Sequence, residues 1–596
     1  MQQLITRQRN TYIIFLLLTL WLCLTAFTLP TDVKTLANPM KGNGIGSGII
    51  TTENAVFVKD FGAIPNDDKS DTEQITKAIK HAHANNKKYV VLEKGVYNLK
   101  GEGKKAPTIY IRGVDGLTLI GQVMKDGTPA TTLEVNMPLG NEEDIKFSRH
   151  IDWRNSKNIG LENIILDLNP RFSTSGKIIA IDHKEKRVEV EIFEGMSHFD
   201  GMKCFSANAW DLKTKTLLHQ DALTINMADP YFENLWHRVE KPGKVVYAIK
   251  NMPFYDKVSV GDGISWHYAA RTSSGITMFF ENCEQLTLNN LHVYNSITLS
   301  ALAYDVKDVS IKKVRIMPEG NSLAVGPRDG IHLYNPRGVL SVDSLYVKGV
   351  RWDPFVSRVN FVTIDSIADA NTIVSTYKVA GNVETMFQEG DEVVFWCGDK
   401  PVKRELVAVK IWSTRGQKKH LLQFKGALPE EAKKGTLISA PTWDKATITN
   451  SVFEDNFGTA IVWENENCII ENNVFRNNAY HAVGFGTTSL NTGAFAENVV
   501  VRNNHFISNG WINKYGGVHG GAITTFEEHS MFSNEPYNTN ILIENNTFED
   551  MNFNSEMGAI GIKNAQDITI RNNIYRNIKN KVVIDQHSTR NIVNED

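Results

Sequence analysis

The sequence predicts an all-β chain coiled into a right-handed parallel β-helix, with one capping helix near its start and two small β-barrel-like modules inserted between coils. Three observations lead there. A phrase of strand, Asn (Asn-Asn in all but the first) and inward aromatic recurs through the second half of the chain: ITNSVFEDN (448–456), IIENNVFRNN (469–478), VVRNNHFISN (500–509), ILIENNTFED (541–550) and ITIRNNIYRN (568–577). The opening reads strand, amphipathic helix, strand. Two long stretches of a different pattern interrupt the repeat.

The repeat is the strongest of the three. Offsets between phrases run from 21 to 41 residues, which fits one coil, or one coil plus a loop, of a stacked solenoid. β-Branched residues alternate in each strand, Asn turns the chain because it tolerates left-handed backbone, and the Phe or Tyr that follows stacks on its neighbours. Weaker versions appear earlier at 286–295, 309–318 and 340–349.

In chain order, VFVKDFGAI (56–64) is a short strand ending at Gly62. Asp71 is the expected N-cap of a helix whose Ile75, Ala78, Ile79 and Ala82 share one face, and YVVLEKGVYNL (89–99) returns to strand. This unit suits the first coil of a solenoid, whose open core needs a cover. Short strands follow at 108–113, 117–122 and 150–169. Residues 170–270 and 362–440 then alternate strands with polar turns and are too long for plain loops. The predicted organisation is a leader over 1–37, cap and first coils over 38–169, an inserted module over 170–270, central coils over 271–361, a second module over 362–440 and final coils over 441–596.

Composition bounds the function. With 42% hydrophobic and 22% charged residues in 596, the chain has an ordinary globular make-up, and a net charge of -3 favours neither nucleic acid nor a membrane surface. Arg7 and Arg9 precede the 16-residue apolar run Tyr12 to Phe27, the pattern of a secretory signal and short for a membrane span, so an exported protein, periplasmic or secreted, is expected, with an uncleaved anchor as the alternative. Cys204, Cys283, Cys397 and Cys468 are far apart, without zinc spacing. No cofactor motif and no metal site is expected.

The chemistry-bearing residues concentrate in 325–361. In RDGIHLYN, Arg328, His332 and Tyr334 fall on one face of a regular strand, and Asp329 falls on the other unless the strand begins after it. The next coil brings Arg351, Trp352, Asp353 and Arg358 in GVRWDPFVSRVN. Together they offer two carboxylates, a titratable ring, a phenol, guanidinium groups that bind carboxylate or sulfate, and an indole for sugar stacking. A second candidate is DGISWHYAARTSS (262–274), with Trp266, His267, Tyr268 and Arg271. A third is NGWINKYGGVHGGAI (509–523), with His519. WEN (463–465) and YHAVGFG (480–486) are expected on the same face.

The opening segment, with its DFGA and G-x-Y signals, resembles pectate-lyase-like β-helix proteins. The layout over 56–580 resembles family-110 glycoside hydrolases, exo-acting α-1,3-galactosidases. In that family a strand bearing an Asp is followed one coil later by Asp-Asp-x-x-Asn-x-His, and the carboxylates are held to serve inverting hydrolysis. Here Asp329 matches the first Asp and Asp353 the second member of the pair, while Trp352 replaces its first member and Ser357-Arg358-Val359-Asn360 replaces the Asn-x-His part. A later Glu-bearing strand of the family aligns with VGFGTT (483–488), which lacks the acid.

A site that has exchanged carboxylate for Arg and Trp suits an anionic sugar, and uronic acids react naturally by β-elimination. The expected function is therefore an exported enzyme acting on uronic-acid-containing, and in some substrates sulfated, oligosaccharides. It would act as a lyase or a dehydratase. His332 or Tyr334, or His267 or Tyr268, would be base or acid, and Arg328, Arg351, Arg271 and Arg358, with Trp352, Trp266 and His519, would bind substrate. Inverting hydrolysis through Asp329 and Asp353 is the alternative, and a non-catalytic glycan-binding β-helix is a third reading.

Overall fold

In the Asn-Asn pairs of the repeat, the first Asn turns the chain and the second locks the coils together. Asn472, Asn503, Asn545 and Asn572 all have φ between 55° and 58°, a left-handed conformation that Asn accepts more readily than most residues. Their successors are a continuous ladder: the Nδ2 of Asn473 donates to the Oδ1 of Asn504, that of Asn504 to Asn546, and that of Asn546 to Asn573, at 3.0 to 3.1 Å. A shorter ladder runs Asn456, Asn478, Asn509. The aromatic of each phrase stacks on the next, Phe453 on Phe475, Phe506, Phe548 and Tyr575, with centroids 4.9 to 5.2 Å apart.

The computed structural model describes residues 50–596 apart from 102–107, 142–148, 220–234, 253–254, 269–274, 378–384, 399, 415–416, 488–492, 513–518, 528–534 and 554–556. The expected leader at 1–37 lies outside these residues. The chain divides into residues 1–51 and 52–596, and the β architecture belongs to the second unit. It is all-β around a right-handed parallel β-helix: among the described residues, parallel strands form one sheet of 22 strands and another of 11, enclosing a single long apolar core.

The helix Thr72–Ala84 buries Ile75, Ala78, Ile79 and Ala82, as its periodicity predicts. Asp71 precedes it but makes no capping bond. Its carboxylate instead accepts the backbone N–H groups of Ile64 and Asn98, tying the helix start to the first coil. Among the described residues, the first insertion is an eight-stranded antiparallel sheet whose strands lie between Ser173 and His267. The second closes into a six-stranded barrel between Val362 and Ser439. The barrel docks on the coils through Trp396, which packs with Phe361, Phe495 and Tyr537, and through Lys403 to Glu466 and Glu497. The inserted sheet reaches the coils through Trp210 and Leu217, which pack with Leu323, Phe457, Tyr480 and Trp511.

The ladder makes a direct prediction. Asn504→Ala strands the partners of four hydrogen bonds in the interior and should cost on the order of 3 kcal/mol. Its thermal unfolding midpoint should fall far more than that of Asn503→Gly, at the exposed neighbouring turn position.

Candidate functional site

Four short strands on consecutive coils build the site: Ala301–Tyr304, Ile331–Tyr334, Phe355–Arg358 and Ile461–Glu464. They pair in parallel without slippage, so Tyr304, Tyr334, Arg358 and Glu464 form one column and Leu302, His332, Val356 and Val462 another. Alternate residues Ile331, Leu333, Phe355, Ile461 and Trp463 enter the core, so both columns face outward. Yet the outward groups are not bathed in solvent: His332 is 6%, Arg358 8% and Glu464 0% exposed.

The strand begins at Ile331, so Asp329 belongs to the preceding turn rather than to the opposite face. That offset lets its carboxylate reach back to the imidazole two residues into the strand. Asp329 Oδ2 lies 2.6 Å from His332 Nδ1. His332 Nε2 is buried and has no hydrogen-bond partner among the described residues. The imidazole stacks on Tyr334 with centroids 4.3 Å apart, and Tyr334 stacks in turn on Tyr304 at 5.1 Å.

Asp353 occupies the same place in the next coil, two residues before its strand, as Asp329 does in its own. The two backbones are therefore about 4.8 Å apart. Asp353 Oδ1 accepts the N–H of Thr459, its counterpart one coil further, and His481 follows at the same position in the coil after that. Arg358 Nε lies 3.4 Å from Glu464 Oε2.

Electrostatics assign protonation. Burial, with help from Arg358 and Arg328, pushes His332 down to about 4 against the opposing hydrogen bond from Asp329. Burial works to raise Asp329, but the bond to His332 and the charges of His332, Arg328 and Arg358 outweigh it and hold the carboxyl below its ordinary range. The pair at neutral pH is thus a carboxylate accepting from a neutral Nδ1–H imidazole, with a lone pair on Nε2. Burial raises the Tyr334 phenol, so it remains protonated. Burial opposes the charge of Arg358, but Glu464 first, with Asp353 and Asp329, keeps it firmly cationic.

The structure brings Asp329, His332, Tyr334, Asp353 and Arg358 into one cluster, with Arg328 at its edge through its charge on Asp329 and His332. Arg351 lies against Phe457, its guanidinium carbon 4.1 Å from the ring centroid, and 5.7 Å from Trp352. Burial pulls it down to about 10, which leaves it charged at neutral pH. Trp352 meets Tyr480 edge to face at 6.2 Å. His267 is buried on the inserted sheet, where burial first and Arg351 second push it down to about 3.

Other expected residues are elsewhere. Trp266 faces the core and stacks on Trp236 at 4.1 Å, leaving that face closed to a sugar. Tyr268 is fully buried and donates its hydroxyl to the Arg171 carbonyl at 2.6 Å, between Phe172 and Phe199. His519 pairs with His481, rings 5.7 Å apart, and lies three coils beyond Asp353 and Arg358 in the strand order. Arg271 lies outside the described residues. Glu464 and Tyr304 carried no sequence signal of their own. Glu464 sits in the WEN stretch expected on this face, but its partnership with Arg358 spans the whole barrel insertion. Among the described residues, no group of three or more His, Cys, Asp or Glu is placed to hold a metal ion, and no helix is long and apolar enough to cross a membrane.

Comparison with known proteins adds three likenesses. Residues 437–596 match the family described as right handed beta helix region. The chain is 22% identical over 544 residues to alpha-1,3-galactosidase A of Shewanella woodyi, covering 85% of this chain and 84% of that protein. Among solved structures, it is similar to the catalytic domain of a family-87 alpha-1,3-glucanase in complex with nigerose (11% identity, 94% of this chain and 71% of that one, TM-score 0.42) and to the family-28 exopolygalacturonase of Yersinia enterocolitica (13% identity, 90% and 78%, TM-score 0.34).

The Asp329–His332 bond fixes which nitrogen carries the proton, and this generates a prediction. In Asp329→Asn the amide N–H can face Nδ1 and move the imidazole proton to Nε2, removing the lone pair. ¹⁵N NMR of the histidine ring checks it, with the single proton expected on Nδ1 in the wild type and on Nε2 in the variant.

Proposed function

We propose that the chain is an exported carbohydrate-active enzyme that acts on uronic-acid-containing oligosaccharides by β-elimination. One observation carries the reading: a buried, neutral His332 whose Nδ1 is fixed by Asp329 at 2.6 Å and whose Nε2 has no hydrogen-bond partner among the described residues, beside a cationic Arg358. That is the equipment for removing a carbon-bound proton next to a carboxylate.

In this mechanism Arg358 and Arg328 draw charge from the substrate carboxylate and acidify the C5 proton. His332 Nε2 takes that proton. The C5–H electron pair becomes the C4=C5 bond as the C4–O bond breaks, and the departing oxygen is protonated by the Tyr334 phenol. Proton exchange with solvent then restores the imidazole and the phenol. If the departing group is a sugar the enzyme is a lyase, and if it is hydroxide leaving as water it is a dehydratase. The apolar run Tyr12 to Phe27 after Arg7 and Arg9 supports export.

A second reading is inverting hydrolysis. Asp329 and Asp353 at equivalent places in adjacent coils, with Glu464 held beside Arg358, support it, as does the likeness to a protein named alpha-1,3-galactosidase A. It needs one carboxyl as acid and another as base on opposite sides of the sugar.

The test follows ultraviolet absorbance while the chain is incubated with acidic algal and plant oligosaccharides, with chain length and released monosaccharides tracked in parallel. Elimination predicts an absorbance rise from a conjugated unsaturated uronate, abolished in His332→Ala. Release of a saturated sugar without absorbance, abolished in Asp353→Asn, would overturn elimination in favour of hydrolysis.

A further inference from the structure

The polar face of the inserted sheet is over-supplied with buried hydrogen-bonding groups. Strands Ser206–Asp211 and Gly263–His267 are antiparallel neighbours, with Ser206 opposite His267 and Asn208 opposite Ser265. Ala207, Ala209, Ile264 and Trp266 alternate into the apolar core, so Ser206, Asn208, Trp210, Ser265 and His267 share the other face. Trp210 and Ser265 satisfy each other, indole N–H to hydroxyl at 2.8 Å. The rest are not satisfied. The Ser206 hydroxyl, the Asn208 Nδ2 and both ring nitrogens of His267 are buried without a hydrogen-bond partner among the described residues, although these residues are at most 3% exposed.

An unmade hydrogen bond inside a protein costs roughly 1–3 kcal/mol, so several on one small patch call for a partner that arrives from outside. The same face adjoins a fixed positive charge. Trp210 packs in one cluster with Phe457, and Arg351 lies over the Phe457 ring at 4.1 Å. The charge of Arg351 also bears on the His267 imidazole. Directly opposite residues on one sheet face have Cβ atoms about 5 Å apart, so Ser206 and His267 converge on one small volume. The groups offered there are mostly donors: a hydroxyl, an amide NH₂, one imidazole N–H and a guanidinium. Donors with a cation fit the oxygens of an anion.

We infer that Ser206, Asn208 and His267 of the inserted sheet, together with Arg351 of the coils, form an oxyanion-binding subsite for a sulfate or carboxylate group carried by the substrate. It deepens the reading of an anionic oligosaccharide substrate and rests on it. It also assigns His267 to binding rather than to proton transfer, and makes the first insertion a part of the substrate site. Asp353, two residues from Arg351, belongs to the reacting cluster, so the subsite holds a charged group next to the sugar that reacts.

The test needs no turnover, so it separates this inference from the reaction itself. Crystals of the chain would be soaked in sodium selenate, a sulfate mimic visible by anomalous scattering, and, in a second arm, in sodium glucuronate. A selenate peak between His267, Ser206 and Arg351 is the expected result for a sulfate ester. A glucuronate carboxylate there is the expected result for a uronate. In solution, the thermal midpoint should rise in sodium sulfate beyond its rise in the double variant Ser206→Ala/Asn208→Ala, which controls for the general stabilising effect of sulfate. Neither ion at the patch in the wild-type crystals, or equal midpoint shifts in wild type and variant, would overturn the subsite whether or not His332→Ala abolishes turnover.

Discussion

Parallel strands bonded in strict register turn positions along the chain into columns across it, and every feature of the site depends on that conversion. His332, Arg358 and Glu464 belong to three coils, and Arg358 and Glu464 are separated in sequence by the whole barrel. They meet because Ile331, Phe355 and Ile461 stack one over another in the core. The same stacking sets Asp353 directly after Asp329. A slip of one residue in any of these strands would turn its outward groups into the core. The Asn ladder and the Phe stack that hold the later coils in register are thus part of how the site is positioned.

Burial changes the environment of these columns. An outward face of a solenoid is ordinarily wet, and a His or Arg there keeps its usual acidity. Here it is largely buried, and desolvation becomes the largest influence on His332, Tyr334, Arg351 and Arg358. Burial neutralises the imidazole and protects the phenol, while neighbouring carboxylates keep Arg358 charged. The scaffold supplies alignment, and burial lowers the dielectric around the aligned groups.

Much of this is legible in the sequence, for identifiable reasons. The Asn-Asn-x-Phe phrase announces a stacked coil because its parts have separate roles, αL turn, ladder and aromatic stack, that occur together only there. The helix face of Ile75, Ala78, Ile79 and Ala82 is equally plain. The cluster at 325–361 stands out by residue type. Register and strand starts are what the sequence withholds. Alternation alone leaves Asp329 away from His332 unless the strand begins late, and it does begin late. Glu464 is invisible as a partner of Arg358 because 106 residues separate the equivalent positions Asp353 and Thr459 of their coils. Trp266 and His267 look like one pair of site residues in the sequence, but they are adjacent in a strand, and the pleat sends one into the core and the other to the polar face.

Proton abstraction by His332 requires a neutral imidazole with its proton on Nδ1, a state that ¹⁵N NMR of the histidine-labelled chain reads, with His332→Ala used to assign the signal. The expected signal is that of a neutral imidazole protonated at Nδ1 from pH 7 down to about pH 5, gaining its second proton only near pH 4, because the buried site lowers its affinity for that proton. A His332 that is doubly protonated at pH 6.5, or that carries its single proton on Nε2, would contradict the account.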